Sequence, residues 1–291
     1  MSATLCEEPK FWFVARQAWG LGQILPRALL RLNSALVLGV ASLDDELFIL
    51  HCRWHTARID VYSTSDFTFL HQFSIPGLSK DGIEDFTSCD SFFQQFLLIA
   101  DSAGRCLNRI TRNGGKNWPV TRWPLSDKLC AVSAVRYLFD ERVIVACCED
   151  RKLIELSNHG ERIRETFLSS ITFTSLWSAR ALESGGYLVS YRSETVSKVD
   201  DSGRVTESYG DWWLPWGREL LRGECCMAVD SDGFVFVADG ENNRIVLLNP
   251  SLQFVRSITT RCRPRSLHFD RKSQRLFTSD NFSSEVRVLQ L

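Results

Sequence analysis

One pattern of apolar and polar residues recurs along most of the sequence and constrains the fold more than any other feature. Its clearest copy, residues 228–249, holds an apolar run, an Asp/Gly turn, a second apolar run, a polar loop and a third apolar run. Short runs rich in β-branched and aromatic residues, divided by such turns, predict a strand–turn–strand–loop–strand unit. A strand-built repeat of roughly 40 to 50 residues is typical of a β-propeller blade.

Weaker copies of the unit follow one another at a regular spacing. Their third apolar runs end 41 to 49 residues apart, at Tyr62, Thr111, Ser157, Asp200, Asn249 and Gln290. Six units at this spacing predict an all-β fold, a six-bladed β-propeller with four antiparallel strands in each blade. We expect one domain, residues 1–291, with blades at residues 35–73, 86–123, 130–168, 176–209, 225–258 and 264–291.

The sixth unit ends directly after its third apolar run, so its outermost strand must come from elsewhere in the chain. The apolar run of residues 10–16 precedes the first blade and has no place in it. We therefore expect residues 10–16 to supply the fourth strand of the last blade and to close the ring, which leaves no exposed strand edge between the first and last blades. Residues 22–33 show some helical spacing, but Pro26 argues against a helix there.

Composition excludes several classes of function. A net charge of −1 gives no global basic field for nucleic acid or an anionic membrane, and no apolar run is long enough for a membrane helix. The N-terminal residues are acidic and lack the apolar core of a secretory signal. The ten cysteines form no zinc-binding spacing. We expect a cytoplasmic, reduced, monomeric protein without metal or cofactor; the alternative is a secreted protein with disulfides.

The polar loop of the fifth unit, Asp239-Gly-Glu-Asn-Asn-Arg-Ile-Val246, resembles the NHL repeat. The sixth unit keeps Asp280 but has Glu285 in place of the Arg, and the other units keep mainly the apolar rhythm. The resemblance implies a six-bladed propeller similar to those of tripartite-motif proteins, which act as adaptors and in several cases bind single-stranded RNA. The RING and B-box parts of those proteins are absent from this sequence, so we expect no ubiquitin-ligase activity.

The acidic residue of this loop has a structural interpretation. An Asp that ends one strand, with an Asn and an Arg opening the next, ties the hairpin through charge-assisted hydrogen bonds. We expect Asp239, Asn243 and Arg244 to act in this way.

The predicted binding residues belong to one face of the ring. Because neighbouring strands of a blade are antiparallel, the loops between second and third strands emerge on the same face as the connections between blades; we call it the connection face. Its strongest anomaly is a cluster of three Trp residues followed by two Arg residues, a pairing common at protein interfaces and able to stack unpaired bases. The alternative is that this connection buries its own indoles. The predicted set is Trp212, Trp213, Trp216, Arg218, Arg222, Arg53, Trp54, Arg261, Arg263 and Arg265.

No catalytic signature is found in the sequence. The prediction is therefore a non-enzymatic binding scaffold that presents one face to a macromolecular partner, either a protein or single-stranded RNA. The alternative is a metal-dependent hydrolase of the gluconolactonase-like type, a class similar to NHL proteins in fold. Such an enzyme needs acidic ligands that converge on the central channel, and the candidates by position are Asp101, Asp239 and Asp280.

Overall fold

A computed structural model of the protein describes residues 4–5, 25–32, 36–53, 56–78, 80–90, 95–112, 118–137, 140–169, 176–191, 195–210, 221–223, 225–280 and 284–291. These residues form six antiparallel sheets arranged as the blades of a ring. The predicted all-β, six-bladed propeller is confirmed.

Each blade begins with its innermost strand and continues outward along the chain. The chain opens with β1 (Thr4–Leu5) and β2 (Leu25–Arg31). Blades one to three contain β3 (Leu36–Leu43), β4 (Glu46–Arg53), β5 (Thr56–Ser63) and β6 (Phe69–Ser74); β7 (Ile83–Asp90), β8 (Gln95–Asp101), β9 (Cys106–Thr111) and β10 (Val120–Pro124); and β11 (Leu129–Tyr137), β12 (Asp140–Cys147), β13 (Lys152–Ser157) and β14 (Arg162–Phe167).

The remaining blades repeat this order, and the sixth contributes only three strands of its own. Blades four to six contain β15 (Leu176–Ala181), β16 (Tyr187–Tyr191), β17 (Thr195–Val199) and β18 (Val205–Tyr209); β19 (Met227–Val229), β20 (Val235–Asp239), β21 (Arg244–Leu248) and β22 (Phe254–Thr259); and β23 (Pro264–Asp270), β24 (Arg275–Asp280) and β25 (Glu285–Gln290). Two single-turn 3-10 helices occupy Lys80–Gly82 and Gly240–Asn242.

The ring is closed by an N-terminal strand, as predicted, but by a different one. Strand β2 pairs antiparallel with β25 and so forms the fourth strand of the last blade, while β1 adds a short fifth strand outside it. The prediction that residues 10–16 occupy this place was wrong; those residues lie outside the described part of the chain. Pro26 is accommodated because the register shifts between Pro26 and Ala28, and a proline without an N–H donor is tolerated at such a bulge.

The hydrophobic core is divided into six clusters, one between each pair of neighbouring blades. The inner strands approach most closely where side chains are small. A Cβ atom at Gly39 would lie 2.6 Å from the Cβ of Phe86 on the neighbouring inner strand, so this contact between blades one and two requires glycine. Outer strands such as β6 alternate between exposed and half-buried residues.

The closing strand contributes directly to this core. Leu30 of β2 is fully buried in the cluster between the last and first blades, where it joins Val37 and Phe277. Leu70 also lies on an outer strand, β6, but is 46% exposed. The two leucines therefore form a matched pair for testing closure.

We expect Leu30→Ala to lower the free energy of unfolding by about 2 to 4 kcal/mol, because it leaves a cavity at the seam of the ring. Leu70→Ala serves as the control and should cost less than about 1 kcal/mol. Urea denaturation followed by circular dichroism measures both. Equal losses from the two variants would show that the seam does not depend on β2.

Candidate binding site on the connection face

The inner strands surround a central channel that is divided into two cavities. One, of about 310 Å³, opens on the connection face and is called the connection-face cavity. The other, of about 270 Å³, opens on the opposite face, where the turns between first and second strands emerge, and is called the turn-face cavity. Each cavity is lined mainly by residues at one end of the inner strands.

The division between the cavities is made by the side chain of Arg180, on the inner strand of blade four. Its Nη1 atom donates to Asp85 Oδ2 of blade two at 2.9 Å and to the carbonyl of Val132 of blade three at 2.9 Å. Its Nε atom donates to the carbonyl of Met227 of blade five at 3.0 Å. One guanidinium group therefore joins the inner strands of four consecutive blades.

Asp85 completes this arrangement. Its Oδ2 atom also accepts the N–H of Val132 at 3.0 Å, and Oδ1 accepts the N–H of Phe86 at 2.9 Å. Both side chains of the ion pair are nearly inaccessible to solvent. Burial opposes the charged form of Arg180, but the Asp85 carboxylate outweighs burial and raises the pKa of the guanidinium.

A second polar contact joins the two blades that the first one does not reach. His268 of blade six accepts the backbone N–H of Ser42 of blade one at 3.0 Å through Nε2, and the Ser42 hydroxyl lies 2.8 Å from the same atom. Because Nε2 accepts a backbone N–H, the imidazole is neutral and carries its proton on Nδ1. Burial lowers the pKa of His268 to about 4; Asp270 opposes this shift, and the Arg180 charge adds to it.

The titration of His268 predicts a pH-dependent stability. Between about pH 6.5 and 4 the unfolded chain binds a proton at this residue that the folded ring does not, so the folded state loses stability as pH falls through this window. The loss should approach about 1.4 kcal/mol per pH unit from this group. We expect His268→Gln to flatten the dependence, as measured by urea denaturation at a series of pH values. His159→Gln, at an exposed position, is the control; an unchanged slope in His268→Gln would contradict the assignment.

We expect the single variant of the Arg180–Asp85 pair to lose more unfolding free energy than the double variant. Arg180→Met should cost about 3 to 5 kcal/mol of unfolding free energy, because it leaves the Asp85 carboxylate buried without its partner. Arg180→Met combined with Asp85→Asn should recover part of this loss, since no buried charge remains. Arg271→Met breaks an ion pair with Glu183 in which both side chains are more than half exposed, and should cost at most about 1 kcal/mol. If the losses of unfolding free energy from the Arg180 and Asp85 substitutions are additive in the double variant, the two side chains are not energetically coupled.

The connection-face cavity has an apolar and thiol-lined interior and a charged edge. Half-buried Trp177 lines it with three cysteines, Cys130, Cys148 and Cys226. Its edge carries both signs of charge, with carboxylates from exposed Glu84 and Glu149 and cations from exposed Lys128 and half-buried Arg265. Lys128 and Glu149 form an exposed ion pair at 3.5 Å.

One polar atom in this cavity is left without a bond. Ser178 is 2% exposed, lines the cavity, and its Oγ atom has no hydrogen-bond partner among the described residues. An unpaired buried hydroxyl costs free energy unless water or a ligand satisfies it. The wall of the cavity therefore contains one unsatisfied buried hydroxyl.

Arg265 lines this cavity, and Arg222, Arg261 and Arg263 lie on the two connections beside the loop of blade five; we call these four predicted residues the arginine group. Arg222, Arg261 and Arg263 are exposed. The 3-10 helix Gly240–Asn242 lies between their two connections: the N–H of Glu241 donates to the Arg222 carbonyl at 3.3 Å, and a Cβ atom at Gly240 would lie 3.0 Å from the Pro264 carbonyl. The group therefore surrounds the loop of blade five on the connection face.

The side chains of the other predicted binding residues are not among those that the structure describes. Trp212, Trp213, Trp216, Arg218 and Trp54 lie outside the described residues, and for Arg53 only the backbone, which ends β4, is described. Whether the Trp-rich connection binds a partner or buries its own indoles stays a prediction.

The acidic residue of the fifth blade forms the expected hairpin tie. Asp239 is fully buried; its Oδ2 accepts from Arg244 Nε at 2.6 Å, and both carboxylate oxygens lie 3.0 Å from the Asn242 amide. The amide thus belongs to Asn242 instead of the predicted Asn243, which adopts a left-handed backbone conformation with φ of 52° and ends the 3-10 helix. Oδ1 also accepts the N–H of Arg222, so the tie anchors the first member of the arginine group.

The metal-site hypothesis gains no support from the described residues. Asp101, Asp239 and Asp280 line neither cavity, and Asp101 accepts the N–H of Gly104 within its own hairpin at 2.8 Å. No group of three or more His, Cys, Asp or Glu side chains in the described ranges is placed to hold a metal ion. Within the same ranges, no helix has the length and apolar character needed to span a membrane.

Comparison with known proteins defines the class of the fold. No family model matches the chain, and no curated protein matches its sequence. Among solved structures, virginiamycin B lyase from Staphylococcus aureus is similar with a TM-score of 0.62 and 10% identity, over 92% of this chain and 100% of that one. The WD40 β-propeller domain of Doa1 has a TM-score of 0.61 and 13% identity, over 93% and 97% of the two chains.

A third similar structure is an auxiliary nutrient binding protein from Bacteroides thetaiotaomicron, with a TM-score of 0.62, 12% identity and coverage of 87% of this chain and 68% of that one. Together with the six sheets, these similarities place the chain among the β-propellers. At such low identity they establish the fold alone. The likeness to NHL repeats remains a resemblance of sequence, strongest in blade five.

Proposed function

We propose that this propeller is a binding scaffold that holds a protein partner on its connection face. The observation that carries the proposal is the connection-face cavity, in which the buried Ser178 hydroxyl lacks a partner and the edge carries charges of both signs. A shared fold does not choose a function, since the similar structures include a lyase and a nutrient binding protein. The proposal therefore rests on the site.

The size and chemistry of the cavity favour a side chain from a protein. A volume of about 310 Å³ is at the small end for a ligand pocket and suits an inserted side chain with one polar group. Trp177 offers a flat apolar wall to such a group, and buried Trp surfaces are frequent centres of binding energy. The arginine group would then contact acidic residues around the inserted segment.

Single-stranded RNA is the weaker candidate partner. The chain has a net charge of −1, and carboxylates of Glu84 and Glu149 stand at the edge of the cavity, where they would repel phosphate groups. A protein surface carries both signs of charge and complements such an edge more readily.

We further propose that the chain is a divergent NHL-like propeller of the cytoplasm. The hairpin tie of Asp239 with Asn242 and Arg244 supports the first part, because it uses the residues on which the resemblance rests. Five described cysteines support the second part, since they are reduced thiols, a state that a reducing compartment maintains; they are Cys106, Cys130, Cys147, Cys148 and Cys262.

Affinity purification with charge-reversal variants tests the binding face. We expect the triple variant Arg222→Glu, Arg261→Glu, Arg263→Glu to reduce recovery of a specific protein partner by about tenfold or more, because one close charge reversal already costs on the order of 1 kcal/mol. Quantitative mass spectrometry of the purified material, with and without nuclease, measures the recovery.

The matched control reverses three exposed arginines near the opposite face, Arg162, Arg204 and Arg271, and should leave recovery unchanged. Equal recovery from both triple variants would remove the connection face as the binding surface. Loss of the partner after nuclease treatment would replace the protein partner with RNA.

A further inference from the structure

The three cysteines of the connection-face cavity include one pair on neighbouring strands. Cys130 lies on β11 and Cys148 directly follows β12, so the two belong to neighbouring antiparallel strands of blade three. The register of these strands shifts between Leu129 and Ala131, which leaves Cys130 as the extra residue of a bulge. The bulge places Cys130 beside Cys148, whose thiol donates to the Lys128 carbonyl at 3.4 Å, and both residues line the same cavity.

The groups around this pair favour the thiolate form of Cys148 over that of Cys130. The hydrogen bond from Cys130 and the nearby Lys128 ammonium lower the pKa of Cys148 to about 7, although burial and Glu149 oppose this. The Cys130 thiol also lies 3.3 Å from the Ala146 carbonyl, but a thiolate is the stronger acceptor because it is charged. The pKa of Cys130 is raised well above its usual range by the same hydrogen bond and by burial.

Cys147, which directly precedes Cys148, does not share its lowered pKa. Cys147 points to the opposite face of the strand, into the core between blades two and three, and is fully buried. Burial, with Asp127 adding, raises the pKa of Cys147 to about 12. Cys148, by contrast, is half-buried and lines a cavity that opens to solvent. Of the two, Cys148 has the lower pKa and is the one that lines the cavity.

We propose that Cys130 and Cys148 form a redox-active pair, in which hydrogen peroxide oxidises Cys148 and Cys130 then closes a disulfide across the two strands. In the first step the Cys148 thiolate attacks one peroxide oxygen; the S–O bond forms, the O–O bond breaks, and hydroxide leaves. In the second step the Cys130 sulfur attacks the sulfenic sulfur; the S–S bond forms, the S–O bond breaks, and water leaves with the Cys130 proton. Two thiols and one peroxide thus yield one disulfide and two waters.

This site goes beyond the binding function proposed above and does not require it. Cys130 and Cys148 lie on paired neighbouring strands and line the same cavity, an arrangement in which a disulfide bond can join two cysteines. The bond would alter the wall of the cavity beside Trp177. Oxidation would therefore change the shape of the candidate binding site without any change in the ring.

Peptide mapping of the full-length protein tests the pair. The reduced protein is treated with hydrogen peroxide, alkylated and digested. Trypsin cleaves this segment after its Lys and Arg residues, so Cys130 and Cys148 fall in separate peptides, residues 129–136 and 143–151. We expect a linked pair of these peptides in the wild type. Because Cys147 shares the second peptide, Cys147→Ala should keep the link and Cys148→Ser should abolish it.

Alkylation rates and trapping provide the second measurement. At pH 7 we expect iodoacetamide to modify Cys148 about threefold faster than an ordinary thiol, because a larger thiolate fraction outweighs its lower intrinsic nucleophilicity. Cys130→Ser should leave Cys148 as a sulfenic acid that dimedone traps. Cys226→Ser, in the same cavity, is the matched control and should change neither result. Thermal melts confirm that each variant is folded.

Three outcomes would overturn the proposal: no linked peptides from folded wild-type protein, a link that persists in Cys148→Ser, or a Cys148 alkylation rate equal to that of the other thiols. None of these measurements involves a binding partner. Failure of the thiol pair and failure of the binding scaffold are therefore distinguishable.

Discussion

The buried guanidinium of Arg180 is the interaction on which the centre of the ring depends. It satisfies a carboxylate and backbone carbonyls from blades two to five, and the contact of His268 with Ser42 joins blades six and one. The two polar contacts thus involve the inner strands of all six blades, in one set of four and one set of two. They are expensive to break, because each would leave polar groups unpaired in a site with little solvent. They also separate the channel into two cavities, so the connection face offers a pocket with a floor instead of an open pore.

The hydrophobic clusters explain why closure of the ring contributes to stability as the polar contacts at its centre do. Each cluster lies between two blades, so every sheet depends on both neighbours for burial. At the seam this condition is met by a strand from the opposite end of the chain: β2 completes the last sheet and places Leu30 in the cluster with the first blade. Loss of that strand would expose one face of two sheets and an unpaired edge. The ring is therefore stabilised as a unit, with no blade that can be considered independent.

The sequence predicts the features that recur in every blade, but it does not predict contacts that occur only once. The apolar rhythm recurs in every blade, so the blade count follows from it. The sequence favours residues 10–16 as the closing strand because their strand pattern is stronger than that of residues 25–31, where Pro26 argues for a break. In the structure, a bulge at Pro26 allows residues 25–31 to form the strand. Arg180 and Asp85 are 95 residues apart, and Ser42 and His268 are 226 apart. No local pattern marks such partners. The arginine group can be proposed from sequence because its members lie on adjacent connections, whereas the Cys130 bulge has no sequence signal.

The candidate binding site and the thiol pair share the same cavity, and this has a thermodynamic consequence. If a bound side chain contacts the wall formed by Cys130 and Cys148, the reduced and oxidised forms of the protein bind it with different affinity. By linkage, the partner then shifts the reduction potential of the pair by the same free energy. A partner that prefers the reduced cavity would protect the thiols, and oxidation would release that partner. The rigid centre favours such coupling, because the inner strands held by Arg180 cannot move to absorb the change and the effect stays confined to the face where the partner binds.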